Sequence, residues 1–290
     1  MTTRIRKAVI PVAGYGTRFL PITKTIPKEM LPIVNRPIIE YIVREFVAAG
    51  IEEIIFISST GKHTLEDYFD YNNELDFQLK SQGKDTAFAL SREAADIARF
   101  TYIRQREQLG NGHALLLARD LIGDEPFAFA YGDDVYDADQ PAISQMIDTY
   151  LEHNGTVIGV VDVPREATSR YGVIDPEPID EWTYRVKRTV EKPDPADAPS
   201  TLASAGRYVF TPSIFDALES ITPGKGGELW IADAVDRLGQ REPVYARKID
   251  GTYHDCGNVL EYLKTVVHFG LKDPAVGEDL REWLTNHLDK

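Results

Sequence analysis

KAVIPVAGYGTR, Lys7 to Arg18, is the stretch from which the fold is read. Lys7 to Ala13 is an apolar run, as expected of a strand covered on both faces. It ends on Gly14-Tyr15-Gly16-Thr17-Arg18, a glycine-bracketed loop carrying a cation. Glu52–Ser58 repeats the strand pattern. Between them Ile38, Ile39, Ile42, Val43, Phe46 and Val47 recur at helical spacing within Pro37 to Ala49, and Gly50 stands at the C-cap. Strands are expected at Thr101–Arg104, Phe127–Tyr131 and Thr156–Val163, with helices at His113–Asp120 and Ile143–Glu152 between them. The alternation resumes with Ala205–Phe210 (strand), Ser213–Leu218 and Leu229–Leu238 (helices) and Val244–Ile249 (strand). Such alternation predicts an α/β fold, a mostly parallel sheet flanked by helices, with ligands outside the carboxyl ends of the strands.

Three segments depart from the alternation. Residues 71–100 are polar and helical, an expected surface insertion. Residues 164–200 are proline-rich with short strands such as Tyr184–Val190, read as a smaller antiparallel element over the mouth of the sheet. The division expected is 1–270 as one domain, including that element, and 271–290 as a C-terminal helical tail. In the tail Val276, Leu280, Trp283, Leu284 and Leu288 share one helical face, to dock on the body or on a partner subunit. Asn154-Gly155-Thr156 matches a glycosylation sequon but reads better as a turn before a strand.

Composition excludes whole classes. With 290 residues, 43% hydrophobic and 27% charged, the chain can bury a core without staples, and a single cysteine, Cys256, rules out a disulfide scaffold. No run approaches the roughly 18 apolar residues of a membrane span. The N-terminal apolar run is cut short by Arg18, which argues against a secretory leader and for a reducing, cytoplasmic setting. A net charge of −14 argues against a nucleic-acid partner or a membrane surface. Residues 1–44 nevertheless hold eight basic residues against two acids, so they carry +6 and the remainder −20. A basic island on an acidic protein suits a small polyanion; chance clustering on a solvated face fits the charge count equally well.

Glycines let backbone N–H groups approach phosphate oxygens. The Gly14–Arg18 loop lacks the Gly-Lys-Ser/Thr ending of a phosphate loop of the Walker type, and Phe19 stands where a dinucleotide fingerprint needs its third glycine. Its continuation, Pro27-Lys28-Glu29-Met30-Leu31-Pro32, adds Lys28 to Arg18 near one strand end. Tyr131-Gly132-Asp133-Asp134 ends an apolar strand and offers hard oxygen ligands for Mg²⁺, or a plain polar turn. His254-Asp255-Cys256-Gly257 offers another carboxylate, or a helix cap. Gln105 to Ala114 is a polar connection whose amides could read a pyrimidine edge. Glu191-Lys192 ends a strand, as a sugar-phosphate contact or a surface ion pair. The six histidines lack metal-ligand spacing, and no Ser-His-Asp or nucleophile-elbow pattern is present.

Together these pieces resemble the bacterial UTP–glucose-1-phosphate uridylyltransferases, also called UDP-glucose pyrophosphorylases, over residues 5–268. KAVIPVAGYGTRFLP and KTIPKEMLPIVNRPIIEYIV match that family's N-terminal block, and EQLGNGHAL, YGDDV, RYGVI, VEKP, GRYVF, GGEL and DCGN follow in its order. The resemblance implies a Rossmann-like sheet and in-line, Mg²⁺-assisted attack of glucose 1-phosphate on the α-phosphorus of UTP, giving UDP-glucose and pyrophosphate. By position, Gly14, Gly16, Thr17 and Arg18 would wrap the triphosphate, with Arg18 and Lys28 on the leaving pyrophosphate. Ala13, Gly14, Glu29, Gln105 and Gly110 would hold uracil and ribose. Asp133 would bind Mg²⁺, with Asp255 as second ligand. Gly172, Glu191 and Gly206 would line the sugar, and Lys192 would bridge the phosphates. Relatives are often dimers or tetramers, which implies a homo-oligomer.

Two departures touch specificity. The family's GLGHAV is here GNGHAL, placing Asn111 beside the expected base site. Its GGEIQLTDA is here GGELWIADA, placing Trp230 and Ala232 near the sugar side. Alternatives are a related transferase using dTTP or galactose 1-phosphate, or a non-catalytic sugar-nucleotide sensor.

Overall fold

Alternate residues of a strand face opposite sides, and in the first strand both sides are covered. Ala8 and Ile10 join one buried cluster with Ile38, Ile42 and Phe46, while Val9 joins another with Leu115, Phe215 and Val235. The structure, a computed structural model, describes residues 4–288, so the last two residues of the expected tail, 289–290, lie outside it. The strands are β1 (Lys7–Pro11), β2 (Pro32–Ile33), β3 (Arg36–Pro37), β4 (Glu53–Ser58), β5 (Arg99–Arg104), β6 (Phe127–Ala130), β7 (Asp134–Asp137), β8 (Thr156–Asp162), β9 (Gly172–Pro178), β10 (Thr183–Glu191), β11 (Leu202–Phe210), β12 (Val244–Lys248) and β13 (Thr252–Asp255). Among the described residues, nine of them form one sheet in the order β5-β4-β1-β6-β11-β8-β12-β10-β9. Helices Ile38–Ala48 and Ala142–His153 cover one face; Asn111–Leu116, Ser213–Ser220 and Ile231–Gly239 cover the other.

The sheet is parallel across β5, β4, β1 and β6, as the alternation predicts. Beyond β6 it is mixed, because β11 runs antiparallel to both β6 and β8. The element expected over 164–200 is the antiparallel hairpin β9–β10. It is the edge of the main sheet rather than a separate layer: β10 pairs with β12, and β9 reaches back to β11 at Ala203 opposite Val173. Pro176 and Pro178 sit in β9, at the end of the strand order, where a missing N–H is tolerated. The helix expected over 113–120 is broken into Asn111–Leu116 and Arg119–Ile122. The 71–100 insertion holds helices Asn73–Ser81 and Asp85–Asp96. Asn154 ends helix Ala142–His153 in the left-handed region at φ 54°, which accounts for the Asn-Gly pair as a turn. The C-terminal helix Gly277–Leu288 lays Leu280 over Gly270 but leaves Val276, Trp283 and Leu288 exposed. No described helix is long and apolar enough to cross a membrane.

One charged pair organises the centre. Arg207 of β11 is 0% exposed. Its Nη2 donates to Glu45 Oε2 and to the Asp134 carbonyl, both at 2.8 Å, and Nε donates to Glu45 Oε1 at 3.2 Å. Glu45 Oε1 also accepts the Ile143 N–H at 3.0 Å, so one carboxylate ties two helices to the sheet. Burial alone would lower the Arg207 pKa; Glu45 outweighs it and keeps the guanidinium charged. Removing one partner of a buried ion pair costs about 3–5 kcal/mol. Glu45→Ala is therefore expected to lower unfolding stability by about that amount in urea titration, and a loss below about 1 kcal/mol would contradict this assignment.

Candidate active site

Parallel strands point their carboxyl ends the same way, so loops remote in sequence converge there. β1 runs into the glycine loop, β4 into Ser59–Lys62, β5 into Gln105–Gly110 and β6 into Tyr131–Asp133. Gly16 takes φ 65°, and a Cβ on it would press on Thr23 at 3.1 Å and on Lys28 at 3.2 Å. Glycine thus seats the loop against Lys28, and Thr23 Oγ1 fixes it by donating to the Gly16 carbonyl at 2.8 Å. Gly14 has open space around it, and Thr17 and Arg18 are exposed.

Lys28 Nζ donates to Asp133 Oδ2 at 2.5 Å. Burial alone would lower the lysine's pKa, but Asp133, Glu29 and Asp134 raise it above its usual value. The second carboxylate arrives from the far end of the chain. β13 pairs antiparallel with β7, setting Asp255 opposite Asp134, and the Cys256 N–H donates to the Asp133 carbonyl at 2.9 Å. A Cβ on Gly257 would lie 2.7 Å from Asp133 Oδ2, 2.9 Å from Asp255 Oδ1 and 3.4 Å from Arg18 Nη1. The bare glycine therefore leaves a cradle edged by both carboxylates and by Arg18, whose Nη1 donates to the Gly257 carbonyl at 3.1 Å.

Asp255 is not the cap of the following helix. Asn258 caps it, accepting the Glu261 N–H at 3.0 Å. Asp255 Oδ2 instead accepts from Arg170 at 2.7 Å and from Asn258 at 3.2 Å. Hard carboxylate oxygens edging one cradle fit a divalent cation. Among the described residues no group of three or more His, Cys, Asp or Glu forms a protein-only cage, so substrate oxygens and water would complete the shell. Neighbouring Asp134 is buried, and its Oδ1 accepts from Tyr253 at 2.6 Å. Burial first, then the Asp133 charge, push its carboxyl up to about 7.

Arg18, Asp133, Asp134 and Asp255 line part of a cavity of about 730 Å³. Gly172, Glu191, Lys192, Gly206, Trp230 and Ala232 line the rest of it, with Tyr131, Tyr171 and Tyr208. The β9–β10 register puts Gly172 opposite Glu191, and a Cβ on Gly172 would crowd Glu191 Oε2 at 3.1 Å. Gly206 takes φ 70° beside a register shift in β11, and a Cβ there would overlap the Asp134 carboxylate. Lys192 Nζ lies 3.1 Å from Glu191 Oε1 and 4.3 Å from the Trp230 ring centroid.

The residues expected to hold the base lie outside this lining and form a wall of their own. Gln108 Nε2 and Ser59 Oγ donate to the Ala13 carbonyl at 3.0 and 2.9 Å. Gln105 is buried, with Nε2 3.3 Å from the Gly110 carbonyl and 3.0 Å from His113 Nδ1. Glu29 is buried beside Gly132 and accepts from Lys62 at 2.8 Å. Burial raises its pKa while Lys62 opposes the rise. Lys62 and Arg207 were not singled out from sequence; nothing around Lys62 gives a signal for it, whereas Arg207 stands inside the quoted GRYVF string. Tyr131 and Tyr171 could have been found, since both stand inside the quoted YGDDV and RYGVI strings.

Asn111 is not a free base contact. Its Nδ2 donates to the Tyr131 hydroxyl at 2.8 Å and its Oδ1 accepts the Ile231 N–H at 2.9 Å. It struts the start of helix Ile231–Gly239, whose own cap residue, Trp230, makes no side-chain cap bond.

The profile of the nucleotidyl transferase family matches residues 7–269. A protein of Staphylococcus epidermidis named UTP–glucose-1-phosphate uridylyltransferase is 46% identical over 97% of this chain and 98% of its own. One of the same name from Bacillus subtilis is 45% identical over 99% and 98%. The solved UTP-bound enzyme of Acinetobacter baumannii, called UGPase, superposes with a TM-score of 0.91 at 38% identity, covering 98% of this chain and all of that one. A UDP-glucose pyrophosphorylase complexed with UDP-glucose gives 0.85 at 40% identity over 93% of this chain and 100% of that one. With its fold and its sequence agreeing over nearly the full length, the chain belongs to the nucleotidyl transferase family.

Proposed function

We propose that this chain transfers the uridylyl group of UTP to glucose 1-phosphate, releasing UDP-glucose and pyrophosphate. The observation that carries this reading is the single cavity that joins Arg18, Asp133 and Asp255 to the Gly172–Glu191–Lys192 wall. A phosphate-handling end and a sugar-sized end open on one space. The named relatives, with UTP or UDP-glucose bound in two solved structures, support the substrate pair.

A phosphate oxygen of the sugar phosphate attacks the α-phosphorus in line. The bond to the bridging oxygen breaks, and its electron pair leaves with pyrophosphate. The chain's task is positioning and charge neutralisation. Backbone N–H groups at Gly14, Gly16 and Thr17 wrap the triphosphate, and Arg18 and Lys28 meet the departing pyrophosphate. Lys28 exchanges Asp133 for a phosphate oxygen as it does so. Ala13, Gly14, Gln105 and Gly110, with Glu29 beneath, hold uracil and ribose. Gly172, Glu191 and Gly206 seat the sugar, and Lys192 holds the attacking phosphate. Mg²⁺ bound between Asp133 and Asp255 would neutralise phosphate charge and polarise the α-phosphorus. Cys256 is no competing nucleophile, since burial pushes its thiol up to about 12.

The same reading makes the chain a cytoplasmic homo-oligomer. Leu263, Val267 and Trp283, exposed on the two C-terminal helices, are the surface for a second copy. Sedimentation equilibrium should then give a multiple of 32.6 kDa, and the monomer mass at micromolar chain would contradict it.

Pyrophosphate release with Mg²⁺, crossing UTP and dTTP with glucose 1-phosphate and galactose 1-phosphate, tests the function. UTP with glucose 1-phosphate should dominate. Asp133→Asn should cut that rate by more than the roughly 10–100-fold that supporting residues of a metal site cost, while leaving the fold intact. Release with none of the pairs, or Asp133→Asn at the wild-type rate, would contradict the reading.

A further inference from the structure

We infer that Trp230 is a positioning residue for Lys192, holding its ammonium over the sugar-phosphate end of the cavity. The inference rests on the function proposed above and adds a residue to it. Lysine has a flexible stem with many rotamers to lose, so an unsupported Lys192 would sample many positions off the site. Its backbone adds a demand. Lys192 takes φ 46°, in the left-handed region, and its N–H donates to the Tyr171 carbonyl at 3.0 Å. The side chain thus leaves the end of β10 from a constrained backbone and meets two described partners. One is Glu191 Oε1 at 3.1 Å, the other the Trp230 face at 4.3 Å from Nζ. Glu191 alone would draw the ammonium onto the residue expected to seat the sugar. The indole offers a second attraction that accepts no hydrogen bond and leaves the ammonium's donors available.

The backbone that carries the ring is itself held. Leu229 N–H donates to the Leu109 carbonyl at 2.9 Å, Gly112 N–H to the Leu229 carbonyl at 2.8 Å, and Ile231 N–H to Asn111 Oδ1 at 2.9 Å. Residues 109–112 and 229–231 therefore run side by side. A Cβ at Gly110 would overlap the Leu229 carbonyl, and one at Gly112 would stand 2.9 Å from it, so the two glycines allow this approach. Trp230 is fixed to the segment that ends on the base wall, and Lys192 leans on Trp230. Asn111 and Trp230 are thus parts of one device.

Steady-state kinetics of the full chain test this with Trp230→Leu, which removes the π face, and Trp230→Phe, which keeps one. A cation–π contact at a partly exposed site implies a rise in KM for glucose 1-phosphate of about two- to fivefold in Trp230→Leu, with KM for UTP unchanged and Trp230→Phe near wild type. Equal changes in both KM values, no change in either, or Trp230→Phe as impaired as Trp230→Leu would overturn it. A direct readout needs no turnover. In a chain carrying Trp182→Phe and Trp283→Phe, Trp230 is the remaining tryptophan, and its emission should shift when the phosphate of glucose 1-phosphate binds the ammonium that stays over the ring. An unchanged emission at saturating glucose 1-phosphate would also overturn the inference. Failure of the wild-type chain to release pyrophosphate would instead defeat the function it rests on.

Discussion

A guanidinium buried without water must find a carboxylate, and that requirement at Arg207 fixes where the reacting groups stand. Arg207 reaches β7 through the Asp134 carbonyl and helix Ile38–Ala48 through Glu45. Glu45 in turn holds the start of helix Ala142–His153. The residue before Arg207, Gly206, gives way to the Asp134 carboxylate because it has no Cβ. The turn that presents Asp133 is thereby held from behind by an interaction that is expensive to break. Asp133 can then be aimed at Gly257 and Lys28.

Three ion pairs of the site are made before any substrate arrives. Lys28 holds Asp133, Arg170 holds Asp255, and Lys192 holds Glu191. Such pairing makes sense on a chain of net charge −14 that has to admit two polyanions. Unpaired carboxylates at the cavity end would repel phosphate, and unpaired cations would bind any anion. Substrate phosphates offer the cations a new partner, and a divalent cation offers the carboxylates one. The cost of separating each pair is offset within the same few ångströms. The basic island over residues 1–44 is only partly this site: Arg18 and Lys28 belong to it, whereas Arg36 and Arg44 pair with Glu40 and Glu93 on the opposite side of helix Ile38–Ala48 from Glu45.

Periodicity revealed the parts of the fold that periodicity makes. β1, β4, β6 and helix Ile38–Ala48 are buried on sides that their apolar spacing declares. The ribbon of β7 and β13 was not legible, since Asp134–Asp137 and Thr252–Asp255 are four residues each and carry little apolar signal. Yet that ribbon is what brings Asp255 to Asp133. The mixed half of the sheet was also hidden, because strand direction is a property of partners and not of a strand's own residues. The glycine loop, both lysines and the first carboxylate were visible as motifs, and the structure gathers them. Asn111 was visible as a departure, but its role was not: its amide is spent on Tyr131 and Ile231, a use that only tertiary contact discloses. Glu29 was named without its partner, because nothing near Lys62 in sequence marks it as buried.

The central claim is that these groups position two substrates for one direct displacement, with no covalent intermediate on the protein. The stereochemical course at the α-phosphorus tests it most directly. UTP made chiral there by sulfur substitution, reacted with glucose 1-phosphate on the intact chain, should give UDP-glucose of inverted configuration. Retention would mean two successive displacements through an enzyme-bound uridylyl group, and would contradict the account.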